Sequence, residues 1–157
     1  MNKIFTFLIL FISISLSGQS ETKDTLQYTY KVEKFKSAFF KKERTVKVYL
    51  PKNYDKKHKY PVIYTLDGYE LFEITTNYEN YLAKFNIIPN SIVVGIYHNN
   101  RNYETTPNYG SDVRIPVTEF LEGSEKLKNH LLKEVIPIID NQYSTSGFNT
   151  LLLLLTR

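Results

Sequence analysis

Tyr60-Pro61-Val62-Ile63-Tyr64-Thr65-Leu66-Asp67-Gly68 is the stretch whose reading decides the fold. From Val62 to Leu66 the residues are apolar, aromatic or β-branched without interruption, and Asp67-Gly68 stops the run. A strand buried on one face alternates apolar with polar. An unbroken run means that both faces are covered, as in the centre of a parallel sheet. Asp-Gly then gives a tight exit, because glycine tolerates positive φ and aspartate can bond its own backbone. A helical pattern follows at once over about residues 69–85, with Leu71, Ile74, Tyr78, Tyr81, Leu82 and Phe85 at three- and four-residue steps. Strand, turn and amphipathic helix make half of a βαβ unit. The turn sits at the carboxyl end of the strand, the edge where open α/β sheets bind ligands.

Upstream, residues 27–32 and 35–40 are short β-prone pieces, and Lys41-Lys42-Glu43-Arg44 is a charged turn. Thr45 to Leu50 alternates, with Val46, Val48 and Leu50 on one side and Thr45, Lys47 and Tyr49 on the other. These pieces predict antiparallel strands at one edge of the sheet. Downstream, Ser91 to Tyr97 is a second buried run, in which Gly95 marks close approach of another backbone. Residues 98–118 form a long irregular segment rich in Asn, Tyr, Thr and Pro, of the kind that is functional or disordered. Ser124 is placed to cap a helix with the stripe Leu127, Leu131, Val135 and Ile139, and Pro137 should kink it. Ser146-Gly147 reads as a turn before a third buried strand, Thr150 to Leu155. Strands alternating with helices after an antiparallel start give an α/β sheet with crossover helices.

The 157 residues carry a net charge of +4 and contain no cysteine and no tryptophan. Lys3, the apolar run Ile4 to Leu16 and the small residues Ser15, Ser17, Gly18 and Ser20 predict a signal peptide over residues 1–20. The run is shorter than the ~20 residues that span a bilayer. The expectation is export to the periplasm or beyond, with no membrane segment after signal removal and one domain over residues 21–157. Without cysteine there is neither a disulfide framework nor a lipid attachment site. The basic residues fall mostly in the loop Lys52 to Lys59 and at Lys41, Lys42 and Arg44. They read as solvated turns, and no aromatic-interleaved basic stripe points to nucleic acid. His58, in the lysine-rich loop, and His130, on a helix with lysines nearby, read as solvated. No His, Asp and Glu have metal-ligand spacing and no glycine-rich phosphate loop occurs, so neither metal nor cofactor is implied.

Five pieces in order resemble the putative esterase family of α/β-hydrolases, the group of esterase D, enterochelin-esterase-like enzymes and mycolyltransferases. They are Arg44 to Pro51 (RTVKVYLP), Tyr60 to Gly68, Ile92 to Ile96 (IVVGI), Arg101 to Pro107 (RNYETTP) and Glu134 to Asp140 (EVIPIID) followed by Tyr143. The resemblance runs from about residue 37 to 151. It implies the N-terminal part of an α/β-hydrolase fold and a small-molecule ester as substrate. It also implies one half of an oxyanion hole, from backbone N–H groups at Leu66, Asp67 or Gly68, where a tight turn would preorganise a donor. The bland alternative is that Asp67-Gly68 is only a good βα turn. The loop Arg101 to Pro107 would line the mouth of the site, with Arg101 and Glu104 as substrate-loop candidates or else as loop anchors; His98, a further candidate, ends the second buried run and could reach the site, but has no nucleophile to serve.

Relatives carry a serine on a G-x-S-x-G elbow after a strand, with acid and histidine further on. Here residues 151–155 are all leucine, Thr156-Arg157 follow, and no G-x-S-x-G occurs. The expectation is a chain that stops before its nucleophile, lacks the triad's serine, acid and histidine, and is inactive as written. An apolar terminal strand without charge or proline would also favour self-association. The competing expectation is a non-catalytic secreted module that binds a ligand at the sheet edge.

Overall fold

The computed structural model describes residues 29–105 and 117–152, with side chains described for 29–105 and 121–147. The predicted signal segment, residues 106–116 and residues 153–157 lie outside the described residues. Five strands form one sheet: β1 (Tyr30–Lys36), β2 (Glu43–Tyr49), β3 (Tyr60–Leu66), β4 (Ile92–Ile96) and β5 (Thr145–Leu152), in the order β1-β2-β4-β3-β5. β1 pairs with β2 and β2 with β4 antiparallel, whereas β3 runs parallel to both β4 and β5. Antiparallel edge strands therefore lead into a parallel centre. The helices are α1 (Leu71–Lys84), α2 (Arg101–Thr105), α3 (Val117–His130) and α4 (Ile136–Gln142), with a π-helical turn, Leu131–Val135, between the last two.

All five residues of β4 are buried, as are Val62, Tyr64, Thr65 and Leu66 of β3. One face, with Val46, Val48, Val62, Tyr64, Ile92, Val94 and Ile96, packs beneath Leu127, Leu131, Val135 and Ile139, the stripe expected from sequence. Proline cannot donate to the carbonyl four residues back, and an unrelieved helix would kink there. The chain answers by widening into the π-helical turn and restarting as α4 with Pro137 in its first turn.

The opposite face carries the smaller cluster of Tyr49, Val93 and Phe72. Here α1 departs from the expected stripe. Its buried residues are Leu71, Phe72, Thr75, Thr76 and Glu79, while Ile74, Tyr78, Tyr81 and Phe85 are about half exposed or more. Gly95 sets the phase. A Cβ at Gly95 would lie 2.8 Å from Phe72 Cδ2, so the missing side chain is the socket for that ring. Aromatic residues on the outer face copied the period of a buried stripe. Glu79, buried at the far end of α1, accepts the Ser91 N–H at 2.7 Å and so fixes the start of β4; burial raises its pKa.

Four local expectations are corrected. Ser124 is inside α3, not its cap, and its hydroxyl donates back to the Leu121 carbonyl at 3.1 Å. Residues 98–118 are not wholly irregular, since Arg101–Thr105 is a helical turn. Ser146-Gly147 lies within β5, at a register shift against β3, with Gly147 at φ +73°. His130 is fully buried rather than solvated, stacked on Phe35 and edge-on to Phe40, with Nδ1 2.6 Å from Glu134 Oε2. Glu134 also accepts the Ser37 hydroxyl and the Ala38 N–H, both at 2.7 Å, which ties the β1–β2 turn to the π-helical segment.

A Cβ at Gly68 would lie 2.6 Å from the Gly95 carbonyl carbon and 2.7 Å from Ile96 N. Gly68→Ala is expected to cost about 3 kcal/mol in urea unfolding, because backbone rather than a flexible side chain must move. Gly147→Ala meets nothing within 4 Å and should cost only about 1 kcal/mol, for its left-handed backbone. Equal costs would show that the turn after β3 is not clamped against β4.

Candidate functional site

β3 is the strand at which the chain changes direction across the sheet: β4 lies on one side of it and β5 on the other. Such a switch point opens a crevice at the carboxyl ends of the strands. The turn at Asp67, Gly68 and Tyr69 stands there.

Asp67 adopts φ +65°, the left-handed region that a non-glycine residue enters at a cost of order 1 kcal/mol. Its polar groups hold it. The Asp67 carbonyl accepts the N–H groups of Glu70 and Leu71 at 3.1 and 3.0 Å, which starts α1. Its carboxylate accepts Arg101 Nε at 2.6 Å, and its N–H donates to His98 Nε2 at 3.1 Å. Gly68 N–H donates to the Ile96 carbonyl at 2.9 Å, and Leu66 stands opposite Ile96 in the β3–β4 ladder. The three backbone positions expected to supply an oxyanion donor are thus tied into the fold. Tyr69 is 81% exposed, and its N–H finds no acceptor among the described residues.

Beneath the turn lies a buried ion pair. Arg44 projects from β2 and is fully buried; its Nη1 and Nη2 groups donate to the two oxygens of Glu104 at 2.8 and 2.6 Å. Its guanidinium also sits 4.1 Å from the centre of the Phe40 ring. The same carboxylate lies 2.9 Å from His98 Nδ1 and accepts the N–H groups of Asn99 and Asn100 at 3.1 and 3.2 Å. Asn100 caps the short helix α2 by accepting the Tyr103 N–H at 3.2 Å, which presents Glu104 inward. Burial alone would raise the Glu104 pKa. The hydrogen bonds from His98 and Arg44, with the Arg44 charge, outweigh it and bring the group down to about 2.

All six sequence candidates fall in one connected cluster. Leu66, Asp67 and Gly68 form its upper edge, and His98, Arg101 and Glu104 support it from the segment after β4. Glu104 is 2% exposed and acts as the loop anchor, whereas Arg101 keeps about a third of its side chain at the surface. Arg44 is the member that sequence reasoning missed. Its place in the run Lys41 to Arg44 made it look like one more solvated charge. The signal was Val46 and Val48, two and four residues on: Arg44 shares their inward face by strand alternation.

His98 and Glu104 have the form of the base–acid half of a triad, yet Nε2 faces a backbone N–H rather than a nucleophile. What the arrangement offers chemically is a clamped turn at which the Tyr69 N–H has no acceptor among the described residues.

Removing one partner of a buried pair strands the other charge. Glu104→Ala is expected to lower unfolding stability by about 3–5 kcal/mol in urea titration. The ionised carboxylate is favoured in the folded state, so its contribution is complete above the ordinary carboxylate value of 4.5 and is lost as the pH falls toward 2. In Glu104→Ala the stability difference from the parent chain should shrink over that interval. A constant difference would mean that Glu104 is not the titrating group.

Residues 37–153 match the profile of the putative esterase family. The uncharacterized protein YjcH of Bacillus subtilis is 31% identical over 122 residues, which is 74% of this chain and 46% of YjcH. The crystal structure of an IroE-like serine hydrolase from Shewanella oneidensis superposes with a TM-score of 0.68 at 29% identity, over 78% of this chain and 42% of that one. A CE1 ferulic acid esterase from Anaeromyces mucronatus shares the fold, with a TM-score of 0.61 at 24% identity, over 82% and 50% of the two chains. The chain spans about half the length of these relatives. Its matched block holds β2 to β5, the turn after β3 and the Arg44–Glu104 pair, and the chain belongs to the putative esterase family.

Proposed function

We propose that this chain supplies the oxyanion-binding turn of an exported carboxylic-ester hydrolase, with the Tyr69 N–H as the donor. The observation that carries the reading is the Tyr69 N–H, which finds no acceptor among the described residues at a turn where the Asp67, Gly68 and Glu70 N–H groups are all bonded. Ester hydrolysis passes through a tetrahedral intermediate whose carbonyl oxygen gains a full negative charge. A donor already fixed at that place stabilises the charge without reorganising, and one such donor is worth about 10²–10³ in rate. Membership of an esterase family and the likeness to serine hydrolases support the same chemistry. Acyl transfer also needs a nucleophile and a base. The 157 residues contain no G-x-S-x-G, and the His98 lone pair is already engaged. Lys3 with the apolar run Ile4 to Leu16 supports export.

The alternative, a secreted ligand-binding module without catalysis, draws on the same engagement of His98 and Glu104 inside the fold. Activity separates the two readings. The purified chain is expected to hydrolyse no activated aryl ester above the buffer rate. A hybrid that continues residues 29–152 with the C-terminal portion of the Shewanella hydrolase, from its elbow serine onward, is expected to hydrolyse the ester. In that hybrid Tyr69→Pro, which deletes the N–H, should lower kcat by about 10²–10³, while Tyr69→Phe should stay near the parent rate. A folded but inactive hybrid, or an active one indifferent to Tyr69→Pro, would overturn the proposal.

A further inference from the structure

His98 is enclosed between two groups of fixed character. On one side, 3.1 Å from Nε2, is the Asp67 N–H, which can only donate. On the other, 2.9 Å from Nδ1, is an oxygen of the Glu104 carboxylate, which is ionised through most of the pH range and can only accept. A neutral imidazole has one donor and one acceptor nitrogen, and only one assignment satisfies both neighbours: the proton on Nδ1 and the lone pair on Nε2. The opposite tautomer would set two donors against each other at Nε2 and two acceptors at Nδ1. A protonated ring would satisfy Glu104 but still oppose the Asp67 N–H. With 4% of its side chain exposed, the ring has little access to water as a substitute partner.

The same short segment grips Asp67 a second time, since Arg101 Nε donates to its carboxylate at 2.6 Å. His98 and Arg101 are three residues apart, and Glu104 gathers His98, Asn99 and Asn100 around one carboxylate. Arg44 fixes that carboxylate from β2. Asp67 is the residue that needs holding, because φ +65° is unfavourable to it. We infer that His98 is the positioning residue of the turn, working as a hydrogen-bond acceptor in the Nδ1–H tautomer, and that Glu104 sets this tautomer. Together they lock Asp67 in its left-handed conformation and leave to Tyr69 the N–H that has no acceptor among the described residues. The part concerning Tyr69 rests on the esterase reading; the tautomer and the backbone lock do not.

The full chain, labelled with ¹⁵N and ¹³C, tests the inference by nuclear magnetic resonance without any substrate. Long-range correlation of the His98 ring should show Nδ1 protonated and Nε2 bare. A scalar coupling across the hydrogen bond should link the Asp67 amide nitrogen to His98 Nε2. The Asp67 Cα–Hα coupling, which reports the sign of φ, should show the positive value. Glu104→Gln, whose amide can donate to Nδ1, should move His98 out of the pure Nδ1–H state and abolish the coupling to Asp67. His98→Gln can still accept the Asp67 N–H and should keep the positive-φ signature, whereas His98→Leu should lose it. That contrast survives even where Glu104→Gln does not fold. An Nε2–H tautomer in the parent chain, or equal Asp67 signatures in His98→Gln and His98→Leu, would overturn the assignment. An inactive hybrid with the coupling intact would defeat only the esterase reading, and an active hybrid without the coupling would defeat only this one.

Discussion

The ion pair between Arg44 and Glu104 is the constraint on which the candidate site depends. It joins β2, near the edge of the sheet, to the segment that follows β4, and it does so where water is excluded. Burying two charges is costly, and a pair of this kind is a weak source of net stability compared with apolar packing. Its value is geometric. A bidentate guanidinium–carboxylate contact fixes direction as well as distance. Glu104 is thereby held where it can also receive His98 and two backbone N–H groups, and one carboxylate organises a whole loop.

From that anchor the order passes upward in short steps. Glu104 orients His98, His98 takes the Asp67 N–H, and Arg101 takes the Asp67 carboxylate. Gly68 closes the remaining gap, because only a residue without Cβ can lie against the backbone at Gly95 and Ile96. The turn is therefore clamped from beneath by charge and from the side by close packing. A surface loop can present a hydrogen-bond donor, but a turn held in this way presents it without reorganisation, which is what electrostatic stabilisation of a developing charge demands.

The far face of the sheet shows the same economy of means with apolar groups. Gly95 removes a side chain from β4, and Phe72 enters the space. That contact fixes the rotation of α1 and turns Ile74, Tyr78, Tyr81 and Phe85 outward. On the near face, the π-helical turn before Pro137 keeps Leu127, Leu131, Val135 and Ile139 on one side although the helix changes pitch between them.

The sequence by itself determined the α/β class, the strands β3 and β4 at the centre of the sheet, and where a candidate site would lie. The unbroken apolar runs of β3 and β4 fit central strands covered on both faces, the alternating run of β2 lies toward the edge, and the turn after β3 falls at the carboxyl edge where open α/β sheets bind ligands. Arg44 to Pro51, Tyr60 to Gly68 and Ile92 to Ile96 carried that much, together with the family. The tertiary structure decided everything that depends on which atoms meet. Periodicity identifies a helix but not its rotation when both faces carry apolar residues, so the burial of Phe72 in place of Ile74 awaited Gly95. Glu104 and Arg44 are 60 residues apart, and no local pattern distinguishes a buried charge from a solvated one before its partner is in place. The choice among N–H groups at the turn was decided the same way: Asp67 and Gly68 lose theirs to His98 and Ile96, residues that come near only once β4 has paired with β3.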